Sequence, residues 1–275
     1  MTLLALAAND RGVLDPTEAV LRADDEALLR GRGAFETLRV YSGRPFRLDE
    51  HLDRLFASAA SIGLPPLERS ELVRLAGLVL PAAGEDDAVL RFIWTAGTED
   101  GGATGLALLS EVPCQLEDLR ARGSRIVSLL GVRAAVPWLL PGVKSTSYAV
   151  NMAAEAEAKR RGADDAIIVD AEGIVLEGTV TNVWWREGDT LLTPELELGI
   201  LAGETRAALL GLAEDEGFAV ETGAFPLDRL LEADEVFTSS SVREVMPVVA
   251  VDGSAFDSRR AAEAMLEALR RLAAG

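Results

Sequence analysis

Apolar positions recur at two periods along the chain, and the change from one to the other marks out its elements. MTLLALAAND opens as an apolar run that reads as a first strand. Asp15-Pro16-Thr17-Glu18 marks a turn or capping region. GAFETLRVYSGRPFRL reads as two strands around Ser42-Gly43-Arg44. Leu48, Leu52, Leu55, Phe56, Ala59 and Ala60 then fall at helical spacing up to Gly63, with Asp49 as the candidate cap. Arg54 and the only histidine, His51, lie off this apolar stripe; the spacing alone reads Arg54 as a solvated helix residue and His51 as structural rather than catalytic. A second amphipathic helix runs from Glu68 to Leu80 and is ended by Pro81 and Gly84. AVLRFIWTAG and ATGLALLSEV form paired strands around a polar, glycine-bearing loop.

PCQLEDLRARGS is polar and lacks a strong period, which places a connection between two domains there. The expected division is an N-terminal domain over 1–115, a connection over 116–123 and a C-terminal domain over 124–275. RIVSLLGVRAAVPW is strand-like, and a helix follows from about Thr146 to Arg161, stopped by Gly162. IIVD and IVLEG flank an Ala-Glu-Gly turn, and a second hairpin turns at Glu187-Gly188-Asp189. The helix after Gly203 stops near Gly217, FAVET and EVFTSSS are strands with a helical PLDRLLEAD between them, and 258–273 form a closing helix.

Composition narrows the class. At 275 residues and 49% hydrophobic, the chain can fill one large core or two modest ones. No apolar run is long enough to span a bilayer, and the start lacks the basic flank and cleavage site of a signal peptide. The net charge of −18 argues against nucleic acid and anionic membranes as partners. A single cysteine, Cys114, excludes an internal disulfide and fits a reducing cytoplasm. One histidine and one cysteine are a poor set for a metal centre, and no G-x-S-x-G motif supports a serine hydrolase.

Three features carry candidate chemistry. Among 27 Lys+Arg only Lys144 and Lys159 are lysines. Lys159 sits in KRRG at a helix end, where cations suit the dipole. Lys144 instead follows a Pro-Gly turn, in an apolar stretch with no nearby acid. A lysine forms a Schiff base only while its amine is neutral, which burial or a neighbouring cation favours. Lys144 is read either as such an amine or as a surface lysine. Glu177 closes a strand in EGTVTN, as an exposed strand glutamate or as a fixed carboxylate. Gly203 opens AGETR, an ordinary capped helix or an anion site in which first-turn amides and the Thr205 hydroxyl meet a phosphate.

The ordered run Lys144, Glu177, Asn182, Thr193, Gly203, Thr205 resembles the class IV aminotransferases, the fold type IV enzymes of pyridoxal phosphate. EGTVTNVW, LLTP and GILAGETR look like that family's signature stretch, and RGRGAFETLRVYSGRPFRLDEHLDRL resembles its N-terminal one. The resemblance implies an α/β (α+β) chain of two domains, a small N-terminal α/β sandwich and a larger C-terminal pseudo-barrel, with the cofactor at their interface. It implies that Lys144 carries the cofactor as an aldimine and moves a proton, that Glu177 pairs with the ring nitrogen, and that Tyr148, one helical turn on, lies near the phenolic oxygen. Arg54, the Gly203-led amides of Glu204 and Thr205, Ser240 and Ser241 would hold the phosphate, with Asn182 part of the same cofactor site. Arg91 is read as a substrate-carboxylate contact or as a buried structural arginine. The implied reaction moves an amino group between an amino acid or amine and a 2-keto acid, in a cytoplasmic homodimer. The alternatives are an aminodeoxychorismate lyase that releases pyruvate and a non-catalytic protein on the same fold.

Overall fold

The first two-fifths of the chain becomes one antiparallel sheet backed by helices. In the computed structural model, which describes residues 2–18, 20–99, 101–131 and 136–275, the strands of this part are β1 (Leu3–Ala8), β2 (Gly12–Leu14), β3 (Gly33–Tyr41), β4 (Arg44–Pro45), β5 (Ala88–Thr98) and β6 (Gly102–Glu111). Their order in the sheet is β2-β1-β6-β5-β3-β4. The helices are α1 (Glu26–Arg30), α2 (Leu48–Ser61) and α3 (Arg69–Val79). Ala34, Leu38 and Val40 alternate along β3 and meet Leu52, Leu55 and Ala59 of α2 and Leu72 and Leu75 of α3 in one buried core. Removing one of these leucines to alanine costs about 2–5 kcal/mol.

Residue contacts divide the chain into two units: Met1–Pro113 with Val143–Tyr148, and Cys114–Gly142 with Ala149–Gly275. The short return into the first unit contains Lys144. Ala34 and Ser145 form a bridge, Phe35 N donates to Lys144 O at 3.1 Å, and Thr146 N donates to Gly33 O at 2.8 Å. Gly31 makes that approach possible. Its φ is +69°, and a Cβ there would lie 2.4 Å from Ser147 Oγ.

The second unit is built on a mixed sheet. Its elements are α4 (Gln115–Arg122), β7 (Ser124–Leu130), α5 (Ala149–Arg160), β8 (Asp165–Val169), β9 (Val175–Gly178), β10 (Asn182–Glu187), β11 (Thr190–Pro194), α6 (Glu204–Leu212), β12 (Ala219–Gly223), α7 (Leu227–Leu231), β13 (Glu235–Ser240), β14 (Glu244–Val251), β15 (Ser254–Ala255) and α8 (Arg260–Ala274). The sheet runs β12-β11-β10-β13-β14-β7-β8-β9, with β15 beside β14. Strands β11/β12, β14/β7 and β7/β8 pair in parallel. Val183, Trp185, Val236 and Val248 pack in its core.

The α/β class and the two-sheet fold type IV architecture hold, and several local expectations change. Arg47, not Asp49, precedes α2 as its cap, at φ 54° and without a side-chain cap bond. Asp49 instead pairs with Arg69 at 3.0 Å. α5 begins at Ala149 rather than Thr146, because the preceding residues are held as extended backbone against β3. Within the polar stretch at 113–123, Gln115–Arg122 is helical. β14 was not expected from sequence; Pro247 interrupts its pattern. Of the strand-like RIVSLLGVRAAVPW, Ser124–Leu130 is a strand, and Val132, Arg133, Ala134 and Ala135 lie outside the described residues.

Candidate active site

Phe35 is the hub of the chemistry in the first unit. Strand alternation turns it to the face opposite Ala34, Leu38 and the helices. Lys144 Nζ stands 4.6 Å from its ring centroid, and the Arg91 guanidinium stands 5.7 Å from it. The Tyr148 ring meets it edge-on at 5.5 Å and 82°. Lys144 and Tyr148 therefore share a neighbour, but not through a helical turn, since α5 starts after both. Arg91 also donates from Nε to Thr37 Oγ1 at 3.1 Å. Burial pushes its pKa below the usual arginine value, against a smaller opposing pull from Tyr148.

The other face of β3 carries a buried ionic group. Arg54 Nε donates to Glu36 Oε1 at 2.6 Å and its Nη2 to Glu36 Oε2 at 2.7 Å. His51 Nδ1 lies 2.7 Å from the same Oε2. Glu36 and His51 are fully buried and the Arg54 side chain is only 10% exposed, so the expectation from spacing of a solvated Arg54 is wrong. Their i, i+3 spacing puts both on the inner face of α2. Burial pushes the Glu36 carboxyl up, and hydrogen bonds and charge from Arg54 and His51 outweigh it and hold it at about 2.

In the second unit, the two halves of the signature stretch lock onto one peptide. Leu201 N donates to Glu177 Oε2 at 3.0 Å, and Asn182 Nδ2 donates to Leu201 O at 2.9 Å. Glu177 and Asn182 are buried, so Glu177 is not an exposed strand residue. Gly203 is required beside them: a Cβ there would lie 2.0 Å from Asn182 Oδ1. It precedes α6 with no side-chain cap, Glu204 follows at the helix start, and Thr205 is buried. Thr193 is spent within the fold, donating to Val183 O at 2.9 Å. Ser239 takes the Trp184 indole N–H at 3.0 Å, whereas Ser240 and Ser241 are partly exposed at the β13–β14 turn, where Ser240 Oγ accepts from Arg243 N at 3.3 Å.

Sequence reasoning missed Phe35, Glu36 and a further buried acid. Asp165 accepts from Thr179 Oγ1 at 2.5 Å and pairs with Arg243, which ties the EGTVTN turn to the serine turn. For Glu36 a signal existed: it is a charged residue at an inward position of an alternating strand. Among the described residues no group of His, Cys, Asp or Glu could hold a metal ion, and no helix is long and apolar enough to cross a membrane.

Comparison with known proteins identifies the family. The family model for amino-transferase class IV matches residues 33–251. The chain belongs to the class IV aminotransferases, the pyridoxal-phosphate transaminases of fold type IV. It is 35% identical over 274 residues to a bifunctional aminodeoxychorismate lyase / D-amino acid transaminase of Mycobacterium tuberculosis, covering 94% of this chain and 95% of that one. Its fold matches a hypothetical aminotransferase from Mycobacterium tuberculosis in a PLP-bound form, with a TM-score of 0.91, 33% identity and 97% of each chain covered. It also matches a branched-chain aminotransferase of Thermoproteus uzoniensis with norvaline, with a TM-score of 0.89, 28% identity, and 98% of this chain and 95% of that one covered.

Proposed function

We propose that this enzyme moves an amino group between an amino acid and a 2-keto acid, with Lys144 as its catalytic residue. The observation that carries the reading is the Lys144 amine set over Phe35, with Tyr148 and Arg91 around the same ring. The residues present fit pyridoxal phosphate: an amine, a buried carboxylate, a guanidinium and an uncapped helix start. The turn after the Glu177 strand also holds the buried Thr181 hydroxyl, which has no hydrogen-bond partner among the described residues. When bound, the cofactor supplies an electron-withdrawing ring that stabilises negative charge at the substrate α-carbon.

The chain's own residues then divide the work. Lys144 Nζ would move a proton between the substrate α-carbon and the cofactor's C4′, which the imine nitrogen separates. Glu177, fixed by the Leu201 amide, holds the proton on the ring nitrogen. Tyr148 orients the phenolic oxygen. The amides of Glu204 and Thr205 at the α6 start, with Ser240, Ser241 and Arg54, grip the phosphate, while Asn182 and Gly203 shape the loop that presents them. Arg91 takes the substrate carboxylate.

A second reading, aminodeoxychorismate lyase activity with release of pyruvate, is favoured by the relative named for both reactions. A donor and acceptor panel run beside a pyruvate-release assay separates the two. We further propose a cytoplasmic homodimer, supported by the large exposed side chains Trp138, Val150 and Met152 of the second unit; light scattering tests the dimer. The central test is Lys144→Ala. It should lose the cofactor's absorbance band at the edge of the visible and its borohydride-fixed label. A variant that keeps both contradicts the assignment.

A further inference from the structure

Glu36 stands where a carboxylate is expensive. It is fully buried on the helix-facing side of β3, between Ala34 and Leu38 of an apolar core. If neutralising Arg54 were its only task, a well-packed apolar pair would serve as well or better. What a carboxylate adds is direction. Both its oxygens engage one edge of the Arg54 guanidinium, through Nε at 2.6 Å and Nη2 at 2.7 Å, and such a fork-to-fork pair fixes the guanidinium plane. His51 Nδ1, at 2.7 Å, pins the carboxylate in turn. A guanidinium has five N–H donors and Glu36 engages two, so the pair also sets where the others point.

The helix connects this group to the lysine. Ser58 lies one turn beyond Arg54 on α2, and its hydroxyl accepts the Lys144 backbone N–H at 3.2 Å. One face of α2 thus holds both the guanidinium and the segment that carries the reactive amine.

We propose that Glu36 is a positioning residue for the phosphate end of the cofactor site, acting by fixing the orientation of Arg54, with His51 as its support. This rests on the reading of Arg54 as a phosphate ligand. The sign of the effect is diagnostic. A merely electrostatic Glu36 would repel a phosphate, so neutralising it would tighten binding. A positioning Glu36 does the opposite, because Arg54 must then be ordered at the moment of binding. Immobilising one long side chain costs affinity by a factor of about 2–10.

The test titrates the full-length chain, stripped of cofactor, with pyridoxal phosphate and separately with pyridoxal, which lacks the phosphate. Bound ligand is read by absorbance and by equilibrium dialysis. Glu36→Gln should weaken pyridoxal phosphate by about tenfold and leave pyridoxal unchanged, and it should add nothing in an Arg54→Ala background. If Arg54→Ala itself leaves pyridoxal phosphate affinity intact, the reading of Arg54 falls. If Arg54→Ala weakens it but Glu36→Gln does not, or if Glu36→Gln weakens both ligands alike or tightens the phosphate form, the positioning role is overturned. Should Glu36→Gln fail to fold, His51 asks the same question. His51→Ala should weaken only the phosphate form, by about threefold, and His51→Asn, whose amide reproduces the Nδ1–H donor, should restore it. Wild-type affinity in His51→Ala overturns the proposal.

Discussion

Arg54 and Arg91 belong to the same unit and lie on opposite faces of one sheet, yet their surroundings differ in kind. Arg54 is gripped by Glu36 through two short hydrogen bonds. Arg91, among the described residues, meets a hydroxyl and an aromatic ring and no carboxylate. Its depressed pKa records that burial is not repaid by an acid. A cation supplied with its own anion is a fixed part of the scaffold. A half-buried cation with no carboxylate beside it suits the role proposed for Arg91, contact with the substrate carboxylate. On the proposed roles, the two arginines separate preorganisation from recognition.

The largest expected effect breaks the recognition half. Arg91→Ala should lower kcat/KM for amino-acid and keto-acid substrates by about 100–1000-fold, the range for losing a desolvated charge-assisted contact. A simple amine donor without a carboxylate should lose far less. Arg91→Lys should recover only part, because an ammonium does not reproduce the fork. Equal losses for donors with and without a carboxylate would make Arg91 a structural residue and erase the contrast.

Stability is the next measure, and it concerns the preorganised half. A free glutamate carboxyl titrates near 4.5, and Arg54 and His51 hold Glu36 at about 2 against its burial. Because the folded value is the lower one, the stabilisation is complete above pH 4.5 and is lost as the pH falls toward 2. Its size is about 3 kcal/mol. Urea unfolding of wild type and Glu36→Gln between pH 6 and pH 3 should show the wild type losing stability faster in acid, so that the two curves converge. Parallel curves would mean that the folded carboxyl is not held down.

Much of this was open to reading before any fold. The rarity of lysine picked out Lys144, and the order EGTVTN, LLTP, GILAGETR named the family. The spacing of Leu48, Leu52 and Leu55 gave α2 nearly to its ends. What periodicity could not give was the inward turn of His51 and Arg54. A hydrophobic stripe sorts helix positions by side-chain type, so a buried ion group is assigned to the solvent side by construction. Nor could it show the docking of Lys144 on β3. That contact joins residues far apart in sequence, through backbone bonds that carry no side-chain signature. β14 escaped for a simpler reason: Pro247 stands inside it and reads as a strand breaker, although its carbonyl still accepts from Ser124 Oγ at 3.1 Å.

The smallest effect is expected from a glutamate that looks equivalent on paper. Glu157, on α5, is also held at about 2, by Arg160 and Arg161. It has bidentate geometry too, with Arg160 Nε and Nη2 both at 2.7 Å. Yet both arginines are open to solvent, so water and salt compete for every charge in the group. Formally its lowered value carries the same sign as that of Glu36, with stability present above pH 4.5 and lost toward pH 2. In practice screening and the entropy of long exposed side chains cancel it. Glu157→Gln should therefore leave Tm, the acid limb of the stability curve and cofactor affinity at wild-type values. Adding salt should not distinguish the two proteins. If instead Glu157→Gln lost as much in acid as Glu36→Gln, then pairing geometry alone would set the worth of a charge, and burial would not be what separates a scaffold ion pair from a surface one.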